Sequence, residues 1–207
     1  MDETTQQLES DLPDRLRLPV AFDAAGLAAD LGALREDDWI PHLVRQNYEG
    51  EWSVAPLRAP AGETHRLRMG FPNPGQTAFA DTALLDRLPH VRAALRWFQC
   101  PLRGARLMRL APGAAILEHC DPDLDAAGGR ARLHLPILTN QDATFLLNGR
   151  PVAMAPGELW YLRLLDPHAA ANRGASDRIH LVVDVEVDEW MRALMEAESH
   201  ATPRRSS

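Results

Sequence analysis

Four side chains in the second half of the sequence have the types and spacing to hold a metal ion beside an organic acid. His119-Cys120-Asp121 sets an imidazole and a carboxylate two residues apart. On an extended segment from Ala114 to Asp121, both project from one face and Cys120 points away into packing. Pro122 biases Asp121 toward extended geometry and ends the ladder there, as at the rim of a barrel. His168 follows Asp121 by 47 residues, in a predicted loop, and Arg178 follows His168 by 10. Two histidines and one carboxylate form the facial triad of non-haem Fe(II) oxygenases, which leaves three adjacent coordination positions open. Two of these suit a bidentate 2-oxo acid and the third suits O₂. An arginine beyond the second histidine suits the far carboxylate of 2-oxoglutarate, through a forked pair of hydrogen bonds.

Other readings stand beside this one. His180 is a rival second ligand, but it shares a strand face with Arg178 and is better placed as a cavity-lining group. The same donors suit catalytic zinc and hydrolysis. A non-catalytic cupin-like module that binds an organic acid is a third reading. His42, His65, His90 and His200 fall in predicted loops or on helix surfaces, where solvated side chains are expected. The run Arg130–Leu138 alternates, with Arg130, Arg132 and His134 on one face and Ala131, Leu133, Leu135 and Ile137 on the other. Arginine and histidine pointing together from an otherwise apolar strand suggest a polar cavity with anion-binding groups.

The elements around these residues read as a helical N-terminal layer on a β-rich core. Asp23–Glu36 has leucines at helical spacing and an Asp to cap it. Residues 39–74 predict a packed, irregular arm with a strand or two. Asp81–Gln99 returns to helical pattern, with Pro89 suited to the first turn of a second helix. From residue 105, short strands alternate with turn signals, and Asn148-Gly149 marks a hairpin. Arg178–Val187 alternates cleanly, and Asp188 is placed to cap a closing helix. Asn172 is suited to ordering the loop after His168 through bonds to backbone. The Gly-Gly of the Pro122–Gly129 loop suits a mobile lid. The division expected is a disordered segment at 1–15, a single domain at 16–200 and a disordered tail at 201–207.

Composition excludes several alternatives. The 207 residues carry a net charge of −7, against a general nucleic-acid or anionic-membrane surface. All 22 basic residues are arginine, so a lysine Schiff base or a P-loop lysine is excluded. Cys100 and Cys120 are too few for a disulfide framework. The acidic start MDETTQQLESD is unlike a secretory signal, and no apolar run is long enough for a membrane span. A cytoplasmic protein with reduced thiols is expected.

Five stretches carry a family likeness: NYEGEWSVAPLR (47–58), RLMRLAPGAAILEHCD (106–121), RLHLPILTN (132–140), PGELWYL (156–162) and HAAANRGASDRIHLVVDV (168–185). Together they resemble the aspartyl/asparaginyl β-hydroxylase family of 2-oxoglutarate oxygenases, which includes bacterial free-standing proline cis-hydroxylases. The resemblance runs from about Asn47 to Asp184. It implies a double-stranded β-helix (jelly-roll, cupin-like) and a hydroxylase using Fe(II), 2-oxoglutarate and O₂, with ascorbate as a stimulant. By matching positions it implies His119, Asp121 and His168 as metal ligands and Arg178 on the cosubstrate's distal carboxylate. His134 would lie near the cosubstrate, Arg132 would face a substrate carboxylate, Arg106 would share that wall and Trp52 would edge the pocket. The implied substrate is a free amino acid or a peptidyl Asp/Asn-like residue. Animal aspartyl hydroxylases of the family lack the carboxylate ligand, whereas this chain keeps Asp121. About twenty residues follow the last predicted strand, where the proline hydroxylases carry a long C-terminal extension, so proline itself is not carried over as substrate.

Overall fold

The computed structural model describes residues 12–71, 75–122 and 124–201. Residues 1–11 and 202–207 of the expected loose termini, and 72–74 of the irregular arm, lie outside these. Thirteen strands run along the described chain: β1 (Arg15–Ala21), β2 (Ile40–Pro41), β3 (Tyr48–Glu49), β4 (Trp52–Pro60), β5 (Phe79–Asp81), β6 (Leu102–Leu110), β7 (Ala115–His119), β8 (Arg130–Leu138), β9 (Ala143–Leu147), β10 (Arg150–Pro151), β11 (Glu158–Leu162), β12 (His168–Asn172) and β13 (Arg178–Glu186). The helices are α1 (Ala24–Asp30), α2 (Arg66–Gly70), α3 (Pro89–Arg96) and α4 (Glu189–Ala201).

The strands form two antiparallel sheets. The larger has the order β1-β11-β8-β13-β6-β4-β2, with β5 on β4, and the smaller has the order β10-β9-β12-β7-β3. Period-2 alternation divides the larger sheet into two faces. On β13, Ile179, Leu181, Val183 and Val185 join Leu133 and Leu135 of β8 in a core with Leu27 of α1, Val91 and Leu95 of α3, and Met191 and Met195 of α4. The opposite face, including Val54, Met108, Leu110 and Val182, packs on Phe145, Leu147 and Ala170 of the smaller sheet. Each fully buried aliphatic side chain contributes about 1.5–3 kcal/mol. The order is helices, large sheet, small sheet, a jelly-roll architecture.

Local chemistry accounts for several boundaries. Asp23 accepts from the Ala25 and Gly26 N–H groups and starts α1, but the expected helix to residue 36 ends at Asp30 and continues only as short 3₁₀ turns. The buried Asp30 then accepts from the Val91 N–H, tying α1 to the Pro89-led start of α3. Asp188 accepts from the Met191 N–H and opens α4. Asn148 and Gly149 both take positive φ, 53° and 68°, the hairpin geometry their residue types favour.

Three elements differ from expectation. β1, a strand not anticipated, pairs with β11 from Arg15 onward, so that its first residue overlaps the segment 1–15 expected to be disordered. Its alternating Leu16 and Leu18 bury against the outer core. His168 does not sit in a loop: it opens β12, between β9 and β7. The Ala-Ala-Ala run after it shows no polar alternation, and small side chains suit a central strand covered on one face. The Pro122–Gly129 loop is pinned: Asp125 accepts from the Ala127 and Gly128 N–H groups, and Ala126 and Ala127 are buried. Asp123, in the middle of that loop, lies outside the described residues.

Candidate active site

Between the two sheets lies a cavity of about 330 Å³. His119, Asp121, His168, Arg178, His134, Arg132, Arg106 and Trp52, scattered over 127 positions of sequence, all line it.

Sheet register makes the first cluster. His168 of β12 stands directly opposite His119 of β7. The pairing then shifts by one, so that Leu117 and Glu118 face the single Ala169. A bulge of this kind re-aims the side chains beside it. The strand ends at His119, two residues short of expectation, and the Asp121 N–H donates to the Leu164 carbonyl. Because the chain leaves the sheet there, Cys120 is exposed rather than packed.

His119, Asp121 and His168 each offer a ligand atom within 4.8 Å of the others. His119 Nε2 lies 3.9 Å from Asp121 Oδ1, and two donors each about 2 Å from one ion can be at most about 4 Å apart. The ring tautomers also suit a metal. His119 Nδ1 lies 2.7 Å from the Leu117 carbonyl and His168 Nδ1 lies 3.0 Å from the Asp166 carbonyl. A carbonyl only accepts, so both Nδ1 atoms carry the proton and both Nε2 lone pairs face the cavity. Burial pushes the His168 pKa down, which favours the neutral ring a metal requires. The donor set therefore fits a divalent ion.

Deeper in, β13 supplies Arg178 and His180 and β8 supplies His134. β8 is not an edge strand: it lies between β11 and β13. Arg178 is buried, and burial alone lowers its pKa to about 10. Its guanidinium donates to His180 Nδ1 at 3.3 Å and lies over the Phe145 ring at 5.8 Å. No carboxylate pairs with it among the described residues. His134 is buried with neither ring nitrogen bonded; burial, then the Arg178 and Arg132 charges, hold its pKa well below 6.5. His180 is kept neutral by burial and by Arg178. It is not among the grouped donor atoms and instead steadies Arg178.

Toward the other end, Asp184 of β13 sits directly across from Arg132 of β8. Arg132 donates from Nε and Nη2 to the two Asp184 oxygens at 2.6 and 3.1 Å, and from Nη1 to Asp121 Oδ2 at 2.8 Å. Arg106 Nη2 reaches Asp184 at 3.1 Å, while its buried Nε has no partner. Burial opposes ionisation of Asp184, but the two guanidiniums outweigh it and hold the carboxyl far below its ordinary range. Arg132 was the stronger expectation for an anion receptor, yet of the two it is Arg106 that has an unbonded guanidinium nitrogen, its buried Nε.

Sequence reasoning passed over three residues here. His42 is not solvated: its ring stacks on Trp52 at 3.4 Å and meets Phe71 edge-on at 4.7 Å. Burial, followed by the Arg106 and Arg132 charges, lowers its pKa to about 3. Phe145 stacks against His168 and packs on His134 and Arg178. Its signal was a lone aromatic at an inward position of a hairpin strand. Asp184 was readable as an acid on the polar face of an otherwise β-branched strand.

Comparison with known proteins matches residues 25–187 to the aspartyl/asparaginyl β-hydroxylase family. The chain is 29% identical over 178 residues to an L-proline cis-4-hydroxylase of Rhizobium meliloti (strain 1021), a match covering 85% of this chain and 62% of that protein. Among solved structures it resembles a 2OG-Fe(II) oxygenase family oxidoreductase of Burkholderia pseudomallei, with TM-score 0.50, 17% identity and 89% of each chain covered. A prolyl-4-hydroxylase of Pseudomonas putida also has TM-score 0.50, at 13% identity over 89% of this chain and 97% of that one. These structural likenesses place the fold among the oxygenase jelly rolls, and the family match over most of the sequence means that this chain belongs to the aspartyl/asparaginyl β-hydroxylase family.

Proposed function

We propose that the protein is an Fe(II)- and 2-oxoglutarate-dependent hydroxylase acting on a small carboxylate-bearing substrate, an amino acid or a close derivative. The observation that carries this reading is Arg178, a buried guanidinium with no carboxylate partner, at the far wall of the cavity holding two histidines and an aspartate. A buried unpaired charge is costly, and an arriving anion relieves the cost. The distal carboxylate of 2-oxoglutarate is such an anion, and Arg178 would hold it in the cavity that the triad also lines.

In this reading His119 Nε2, His168 Nε2 and Asp121 hold the iron, which supplies the oxygen-activating chemistry when bound. Arg178 anchors the cosubstrate, and His180 keeps the guanidinium oriented by accepting one of its protons. His134 lines the same wall, with its two ring nitrogens buried and unbonded. Phe145 and Leu164 exclude water from the wall behind it. Arg106 receives the substrate carboxylate, with Trp52, Phe71 and His42 covering its apolar part. A zinc hydrolase would need a free carboxylate near the triad to act as base. Among the described residues, the other acid lining the cavity, Asp184, is held between two guanidiniums.

The test is succinate release from 2-oxoglutarate with Fe(II), ascorbate and O₂, across free amino acids and capped peptides. Substrate-dependent succinate at least 100-fold above His168→Ala is expected, with hydroxylated product found by mass spectrometry. Release no greater than that of the variant would overturn the reading in favour of a binding module or a hydrolase.

A further inference from the structure

The two oxygens of Asp121 face different ways. Oδ1 points toward His119 Nε2 at 3.9 Å, whereas Oδ2 accepts from Arg132 Nη1 at 2.8 Å. Arg132 is itself aimed by a forked pair of bonds, Nε and Nη2 onto the two oxygens of Asp184. Asp184 is steadied by Arg106 Nη2 and by its place in the sheet, directly across from Arg132. Among the described residues, Asp184 and Arg132 make no hydrogen bond or ion pair with His119, His168 or Arg178.

We infer that Arg132 is a positioning residue for the metal ligand Asp121, with Asp184 as its anchor, rather than a receptor for the substrate. This rests on the metal-site reading above. A carboxylate free to rotate can offer both oxygens to an ion and fill a coordination position needed by the cosubstrate or O₂. With Oδ2 held by a guanidinium, only Oδ1 is presented. The same bond turns the carboxyl plane, so that the ligand set is assembled before the ion arrives. Partners of this kind, one shell removed from the ion, typically change metal affinity by about 10–100-fold when lost. Arg106 shares Asp184 but does not reach Asp121 within bonding distance, so the two arginines separate by function: one holds the ligand and the other faces the substrate.

The experiment titrates the metal-free full chain with Mn(II) and reads free Mn(II) by electron paramagnetic resonance. The wild type, Asp121→Ala, Arg132→Lys, Asp184→Asn and Arg106→Met are compared. Wild-type uptake of one Mn(II), abolished in Asp121→Ala, establishes the metal site itself; its absence would overturn the parent reading instead. Asp184→Asn and Arg132→Lys are expected to raise the Mn(II) Kd about 10–100-fold, while Arg106→Met, which removes one support of Asp184 but no bond to Asp121, raises it by less than either. The oxygenase activity lost in Arg132→Lys should return as Fe(II) is raised, with the substrate KM little changed. A folding defect would not respond in that way, and circular dichroism checks each variant. Wild-type Mn(II) affinity in both Arg132→Lys and Asp184→Asn, or a substrate KM that rises while Mn(II) affinity holds, would overturn the assignment.

Discussion

The two ends of the cavity both hold buried arginine, and they use it in opposite ways. At one end Arg178 stands alone, with a neutral histidine as its hydrogen-bond partner. At the other, Arg106 and Arg132 share Asp184, and Arg132 also reaches Asp121. Lone guanidinium and shared guanidinium differ in what they can do. The first has lost water without gaining an opposite charge, so it is poised for an anion. Arg132, answered by two carboxylates, can fix geometry without binding anything from outside, whereas Arg106 is paired with Asp184 and keeps a buried Nε unbonded. The contrast in acidity is between Arg178 and Arg132: burial drags Arg178 down to about 10, whereas burial of Arg132 is outweighed by Asp184 and Asp121, and its pKa rises; Arg106, paired with Asp184, is still lowered by burial.

This contrast is broken or sharpened by three measurements. The largest effect is expected at Arg178. Arg178→Ala should raise the KM for 2-oxoglutarate about 100-fold, as for loss of a buried charge pair, with the substrate KM nearly unchanged. In the metal-free, ligand-free protein, Arg178→Met should raise the melting temperature, since an unanswered buried charge is removed. A lower melting temperature, or equal effects on both KM values, would erase the distinction between the ends. Next comes Arg106→Ala, expected to raise the substrate KM about 10–100-fold while the KM for 2-oxoglutarate holds. A shift in the cosubstrate KM instead would assign that end to the wrong ligand.

The last measurement concerns pH. His42, His134 and His180 all have pKa values held below the ordinary 6.5, first by burial. For each, the unfolded chain binds a proton that the folded chain refuses, so folded-state stability is lost as pH falls below about 6.5. For His42 the loss continues down to about 3. The slope is about 1.4 kcal/mol per pH unit for each such histidine. Denaturant melts of the metal-free protein at pH 7, 6 and 5 measure it. His42→Leu should flatten the curve by one histidine's share, and an unchanged curve would mean that His42 is hydrated.

Much of the site was legible because its chemistry lies in spacing and alternation. The polar residues of β13 and β8 interrupt otherwise β-branched or aliphatic strands at period 2, which marks a face, and the His-x-Asp, His and Arg spacing marks a ligand set. What escaped depends on partners far away in sequence. His42 is half-buried because Trp52 and Phe71 pack against it, and nothing local to His42 announces that. Arg132 is committed because strand register delivers Asp184 opposite it, and a one-residue difference in register would have left it free. β12 was missed because three alanines carry no period of their own; its place is set by β7 and β9. Cys120 was misplaced because the strand was carried two residues too far.

The pairing of His119 with His168 joins two strands that are 49 residues apart in the chain. If β12 slid by one position against β7, its side chains would exchange faces and His168 would turn out of the cavity. An ion gripped by both rings would thus act as a clasp, adding its affinity to the correctly threaded sheet and none to a slipped one. Loading with metal would then double as proofreading of the fold, and a chain threaded wrongly would stay inert instead of half-active.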